Sequence, residues 1–73
     1  MEQIILTELE NKIVAQCVKN LREFGYPQVT TENIFIDEVY SMFLISMLSD
    51  NEGRSTAIDN SITRIKSLIK TNQ

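Results

Sequence analysis

The chain contains no histidine and no tryptophan, and only one cysteine, one proline and two glycines. Without histidine it lacks the side chain that ordinarily serves as general base near neutral pH, so an enzyme is not expected. The same absence makes a zinc site unusual, and no cofactor is expected. A single cysteine, Cys17, excludes an intramolecular disulfide and fits a reducing cytoplasm. No stretch approaches about 18 consecutive apolar residues, so no membrane span is expected. The opening Met1-Glu2-Gln3-Ile4-Ile5-Leu6 lacks the basic and long apolar regions of a signal peptide. Neither a GxxxxGK[ST] nor a GxGxxG pattern occurs, which argues against the standard nucleotide folds.

What is present is enough apolar residue to fold. Hydrophobic residues make up 42% of the chain, well above what disorder favours. Its 73 residues form one expected domain, residues 1–73. A chain this short buries roughly 60% of the surface it exposes when unfolded, so its core is small. Chains of this size often add disulfides, a metal or a partner subunit; here oligomerisation is the route left open. The net charge of −3 is unevenly spread. Residues 1–53 hold nine acids and three bases, a balance of −6, whereas residues 54–73 hold four bases and one acid, a balance of +3. An acidic chain is a poor general nucleic-acid binder, because duplex affinity rests on neutralising phosphates.

The densest apolar run is Val39–Leu48, eight apolar residues in ten, and it reads as the central helix of an all-α fold. Before it, Leu6, Leu9, Ile13, Cys17, Leu21 and Phe24 recur at helical steps, widened by Val14 and Val18. Thr7 and Glu10 have the spacing of a capping box, although Ile4 and Ile5 can extend that helix by a turn. Gly25 and Pro27 stop it. Residues 30–36 admit three readings: a helical turn followed by a break with Asp37 as N-cap, a continuous helix from Thr31, or a short strand at Ile34–Ile36. In the central helix Val39, Tyr40, Phe43, Leu44, Met47 and Leu48 form the expected core arc. Ser41, Met42, Ile45, Ser46 and Ser49 fall on the other side. Gly53 separates this helix from a third, capped by Ser55 or Thr56, with Ile58, Ile62, Ile65 and Ile69 as its apolar seam. The expectation is a compact three-helix domain with helices at about 4–24, 37–51 and 55–70 and a helical turn near 30–35. A helix that is apolar nearly all round needs cover on more than one side, so a symmetric homo-oligomer is expected, with Met42, Ile45 and Ser49 in the contact.

Candidate chemistry is sparse. Cys17 lies on the apolar face of the first helix and reads as a small buried hydrophobe. Asp50-Asn51-Glu52-Gly53 lacks the alternating acids and distal glutamate of a calcium loop. Gly53, Arg54, Ser55 and Thr56, joined by Arg64, form a candidate anion or nucleotide-signal site. There the free backbone N–H groups of a helix start combine with side-chain donors, although a plainly capped helix explains the same residues. The third helix, with Arg54, Arg64, Lys66 and Lys70, can also be read as a DNA-recognition helix, against which stands the acidic end of the helix before it. Tyr26, beside Pro27, is the aromatic residue expected to contact a partner.

Gly25-Tyr26-Pro27, Glu32-Asn33-Ile34, Asp37-Glu38-Val39-Tyr40, Phe43, Ser46-Met47-Leu48, Asp50-Asn51 and Gly53 together resemble small helical proteins encoded by bacteriophages and prophages. The resemblance covers roughly residues 20–53 and carries no activity to transfer. It implies an accessory protein of the bacterial cytoplasm that acts by binding. Such a protein inhibits or adapts a host factor, as anti-defence proteins do, or sequesters a small signalling molecule.

Overall fold

In the computed structural model, which describes residues 4–49, 53 and 55–72, three α-helices and one 3-10 turn surround a single core. Helix α1 spans Glu8–Phe24, η1 is the turn Asn33–Phe35, α2 spans Glu38–Ser49, and α3 spans Thr56–Asn72. The fold is all-α, with no strand among the described residues. Its radius of gyration, 11.5 Å, is close to the roughly 11 Å that a folded chain of this length takes.

Helix α1 begins at Glu8, not at Ile4, because a capping box stops it from extending backwards. The Glu10 N–H donates to Thr7 Oγ1 at 3.2 Å, and the Thr7 N–H donates to Glu10 Oε1 at 2.8 Å. Two of the helix's orphan donors are thereby satisfied. At its other end Gly25 takes φ +128°, and the Tyr26 N–H reaches back to the Leu21 carbonyl at 3.0 Å. Val14, Cys17, Val18 and Leu21 form the buried face. Phe24, expected at the end of that face, is instead 70% exposed, as the last residue of α1.

Between α1 and α2 the turn reading of residues 30–36 is the observed one. Thr30 and Asn33 exchange bonds, with the Thr30 N–H donating to Asn33 Oδ1 (2.6 Å) and the Asn33 N–H to Thr30 Oγ1 (3.2 Å). Arg22 Nε ties the loop to α1 by donating to the Val29 carbonyl at 2.8 Å. Val29, Ile34 and Phe35 are thereby buried, as a lid over the core. Asp37 is the N-cap of α2, and its Oδ1 accepts from the Val39 N–H at 2.9 Å and from the Tyr40 N–H at 3.4 Å.

Helix α2 keeps most of its expected core arc, with Tyr40, Leu44 and Leu48 buried and Phe43 and Met47 packed against the core, but differs from the expectation at Val39, Ser41 and Ile45. Its inner stripe is Ser41, Leu44, Ile45 and Leu48, with Tyr40 buried beside it. Its outer side carries the exposed Val39, Met42 and Ser46, with Phe43, half-buried against the core, at its edge. Val39, expected in the core, is 51% exposed, while Ser41, expected outside, is wholly buried. Ser41 Oγ donates to the Ile34 carbonyl at 2.6 Å, which explains the exchange. A small side chain lets η1 approach, and its hydroxyl satisfies a backbone acceptor that would otherwise be buried unpaired. Helix α3 buries Ile62, Ile65 and Ile69, with Ile58 partly buried, so its expected seam faces the core.

Candidate interaction surface

The residues expected to form an anion site do not all meet. Gly53 is exposed, with φ +73°, and Ser55 Oγ accepts from the Ile58 N–H at 3.3 Å as the cap of α3. Thr56, also exposed, is the first residue of that helix. Arg54 lies outside the described residues. Arg64 is eight residues beyond Thr56, about 12 Å along the helix axis, and is engaged elsewhere. Its Nη1 donates to Glu10 Oε1, and its Nη2 donates to the Ile5 carbonyl at 3.2 Å. Glu10 is only 1% exposed, so its carboxylate takes both the capping bond and the guanidinium as partners inside the fold. Arg64 is thus committed to neutralising a buried charge, which favours a positioning role for it over ligand binding. Sequence reasoning missed this pair because its members are 54 positions apart. The only hint was that Glu10 already sat in a capping box.

A shallow cleft of about 590 Å³ between α1 and the end of α2 was also not foreseen. Ile13, Cys17, Met47 and Leu48 line its floor, and Lys12, Gln16 and Asn20 its rim. Gln16 Nε2 donates to Asn20 Oδ1 at 3.0 Å, and Lys12 lies 4.0 Å from Glu8, so part of the rim's polarity is already paired. Burial pushes the Cys17 thiol up to about 11, which keeps it protonated and unreactive near neutral pH. Among the described residues no group of three or more cysteine or acidic side chains converges to hold a metal. No helix is long and apolar enough to cross a membrane, among the described residues.

The surface that stands out is the outer side of α2. Met42 is 64% exposed, Val39 51%, and Ile36, one residue before the N-cap, 62%. Phe24 extends this surface from α1, its ring 5.9 Å from the half-buried ring of Phe43. Beneath them Tyr26 is half-buried in an aromatic cluster, 5.2 Å from Phe43, 5.5 Å edge-on to Tyr40 and 6.3 Å from Phe24. Gln28 Nε2 donates to the Tyr40 hydroxyl, closing the cluster from the loop side. The exposed ring is therefore Phe24, and Tyr26 acts as its support. Met42, expected on a contact face, lies on this one, whereas Ile45 is half-buried and turned to the core because it shares the Ser41 stripe. The side chain of Ser49 lies outside the described residues. Set against known proteins, the chain matches no family model, no curated protein and no solved structure.

Proposed function

We propose that this protein is a non-enzymatic binding module that docks a partner on the outer side of α2, as an accessory protein of the phage type working in the bacterial cytoplasm would. One observation carries the reading: Phe24, Ile36, Val39 and Met42 are each at least half exposed. Val39 and Met42 lie three residues apart on α2, Ile36 comes two residues before that helix, and Phe24 meets α2 through the Phe43 ring. Single exposed apolar residues need no explanation, but a contiguous group of large ones marks an interaction site. Met42 suits such a role, since an unbranched thioether adapts to more than one surface. Rings fixed by their neighbours, as Phe43 and Tyr26 are, lose little entropy on contact.

Fully burying a large apolar side chain is worth roughly 1.5–3 kcal/mol, so covering these four, already partly buried, gives on the order of 4–7 kcal/mol. Losses of translational and rotational freedom offset much of that, so the apolar patch needs a complementary rim to form a lasting complex. A comparison of bait proteins tests the reading. The wild type and a Val39→Asp/Met42→Asp variant, matched in helical content by circular dichroism, are used to capture proteins from bacterial lysate. The expected result is that specific captures of the wild type disappear with the variant. Identical captures from both would refute docking on this face.

A further inference from the structure

The charges that border the patch residues are predominantly acidic, and the one neighbouring base, Arg22, is engaged with the Val29 carbonyl. From Glu23 to Gly53 the sequence carries six acids and no lysine or arginine. Four of those acids are exposed and close in sequence to the patch residues: Glu23 precedes Phe24, Glu32 opens the η1 turn, and Asp37 and Glu38 separate Ile36 from Val39. Glu38 also lies one helical turn before Met42, on the same side of α2. The patch is thus an apolar stripe within an acidic rim.

Resting on the docking role proposed above, we infer that the occupant of this face is a basic amphipathic helix of another protein. Its apolar side would lie on Phe24, Ile36, Val39 and Met42, with its lysines and arginines reaching Glu23, Glu32, Asp37 and Glu38. The argument is charge complementarity. A helix in a groove supplies apolar anchors at steps of three and four, the spacing that Val39, Met42 and Phe43 present from this side. Cationic flanks turn the rim from repulsive to attractive and speed encounter. A second copy of the chain is a poorer occupant, because two-fold pairing of this face sets one acidic rim against another. Nucleic acid and anionic lipid are repelled by the same carboxylates.

Two synthetic helical peptides with one leucine stripe, flanked in one by lysines and in the other by glutamates, provide the probe. Fluorescence anisotropy measures their binding to the wild-type protein, and light scattering on a sizing column reports its mass. The lysine-flanked peptide is expected to bind roughly tenfold tighter or more, with a gap that narrows as salt screens the charges. Met42→Asp and Val39→Asp should each remove binding, and Glu23→Gln/Glu38→Gln should weaken it severalfold, all with unchanged helical content. Equal binding of both peptides, lost in Met42→Asp, would overturn the basic partner and leave the docking face standing. Binding untouched by Met42→Asp and Val39→Asp would put the peptide elsewhere and refute the inference. A wild-type dimer that Met42→Asp turns into a monomer would make a second copy the occupant. If neither peptide binds and the lysate captures are identical, the inference and the docking role fall together.

Discussion

The two sides of α2 are built from nearly the same residues and have opposite fates. The inner stripe reads Ser41, Leu44, Ile45, Leu48; the outer reads Val39, Met42, Phe43, Ser46. Each has three apolar residues and one serine, yet Leu44 is wholly buried and Met42 is 64% exposed. Composition therefore does not choose which side faces the core. What distinguishes them is a single polar fit, Ser41 against the Ile34 carbonyl, together with the leucines that fill the space between α1 and α3. A helix without amphipathic contrast takes its rotation from its neighbours.

The sharpest way to break this comparison is to truncate one residue on each side. Leu44→Ala removes a fully buried side chain and should cost about 2–5 kcal/mol of stability, read as a lower urea midpoint. Met42→Ala removes a similar apolar mass from the exposed side, where substitutions usually stay within about 0.5 kcal/mol. Equal losses from the two would mean that the outer side is covered in the folded protein.

A smaller effect is expected where burial concerns charge instead of hydrocarbon. Arg64→Ala removes the guanidinium from the buried Glu10 carboxylate and leaves it the bond from the Thr7 N–H. Breaking a fully buried ion pair costs about 3–5 kcal/mol; with the Arg64 side chain 48% exposed, about 1–3 kcal/mol is expected. Adding Glu10→Gln should recover part of the loss, because an amide still accepts from Thr7 without carrying an uncompensated charge. If the double variant is as unstable as the sum of the singles, the two side chains act independently. Among the described residues the outer side of α2 has no such buried acid: Glu23, Glu32 and Glu38 are exposed, and substituting them should barely move the urea midpoint, whereas Asp37 also caps the helix.

How much of this was legible in the sequence depends on local contrast. In α1 polar and apolar residues alternate with the helical period, so Val14, Cys17, Val18 and Leu21 could be placed inside beforehand, and the Thr7–Glu10 box could be read from spacing. The turn at residues 30–36 and the Asp37 cap were among the readings open from Thr30-Thr31-Glu32-Asn33 and the acid after Ile36. Helix α2 could be located but not rotated, so Val39 and Ser41 changed places and Ile45 moved inward. The surroundings of Arg64 were the hardest to read. Arg64 looked available for a ligand because its partner, Glu10, is remote in sequence and seemed already occupied by a local role. The exposed apolar side lay hidden for a related reason: Phe24 had the right period for the core, and nothing local says that it is 70% exposed.

The smallest expected effect isolates the bond that sets the rotation of α2. Ser41→Ala and Ser46→Ala make the same chemical change on opposite sides of one helix interior, and both gain the same few tenths of a kcal/mol from the higher helix propensity of alanine. That shared gain cancels in the comparison. Ser46 is exposed, so its replacement should leave the protein unchanged or slightly more stable. Replacing Ser41 deletes the donor to the Ile34 carbonyl, worth about 1 kcal/mol for a typical bond and more if the carbonyl stays dry and unpaired. The difference between the two urea midpoints should therefore correspond to about 1 kcal/mol, with Ser41→Ala the less stable. Equal midpoints would mean that the leucines alone hold the orientation. Because the outer apolar face is what remains once that orientation is set, Ser41→Ala should also weaken the lysine-flanked peptide more than Ser46→Ala does, without touching it.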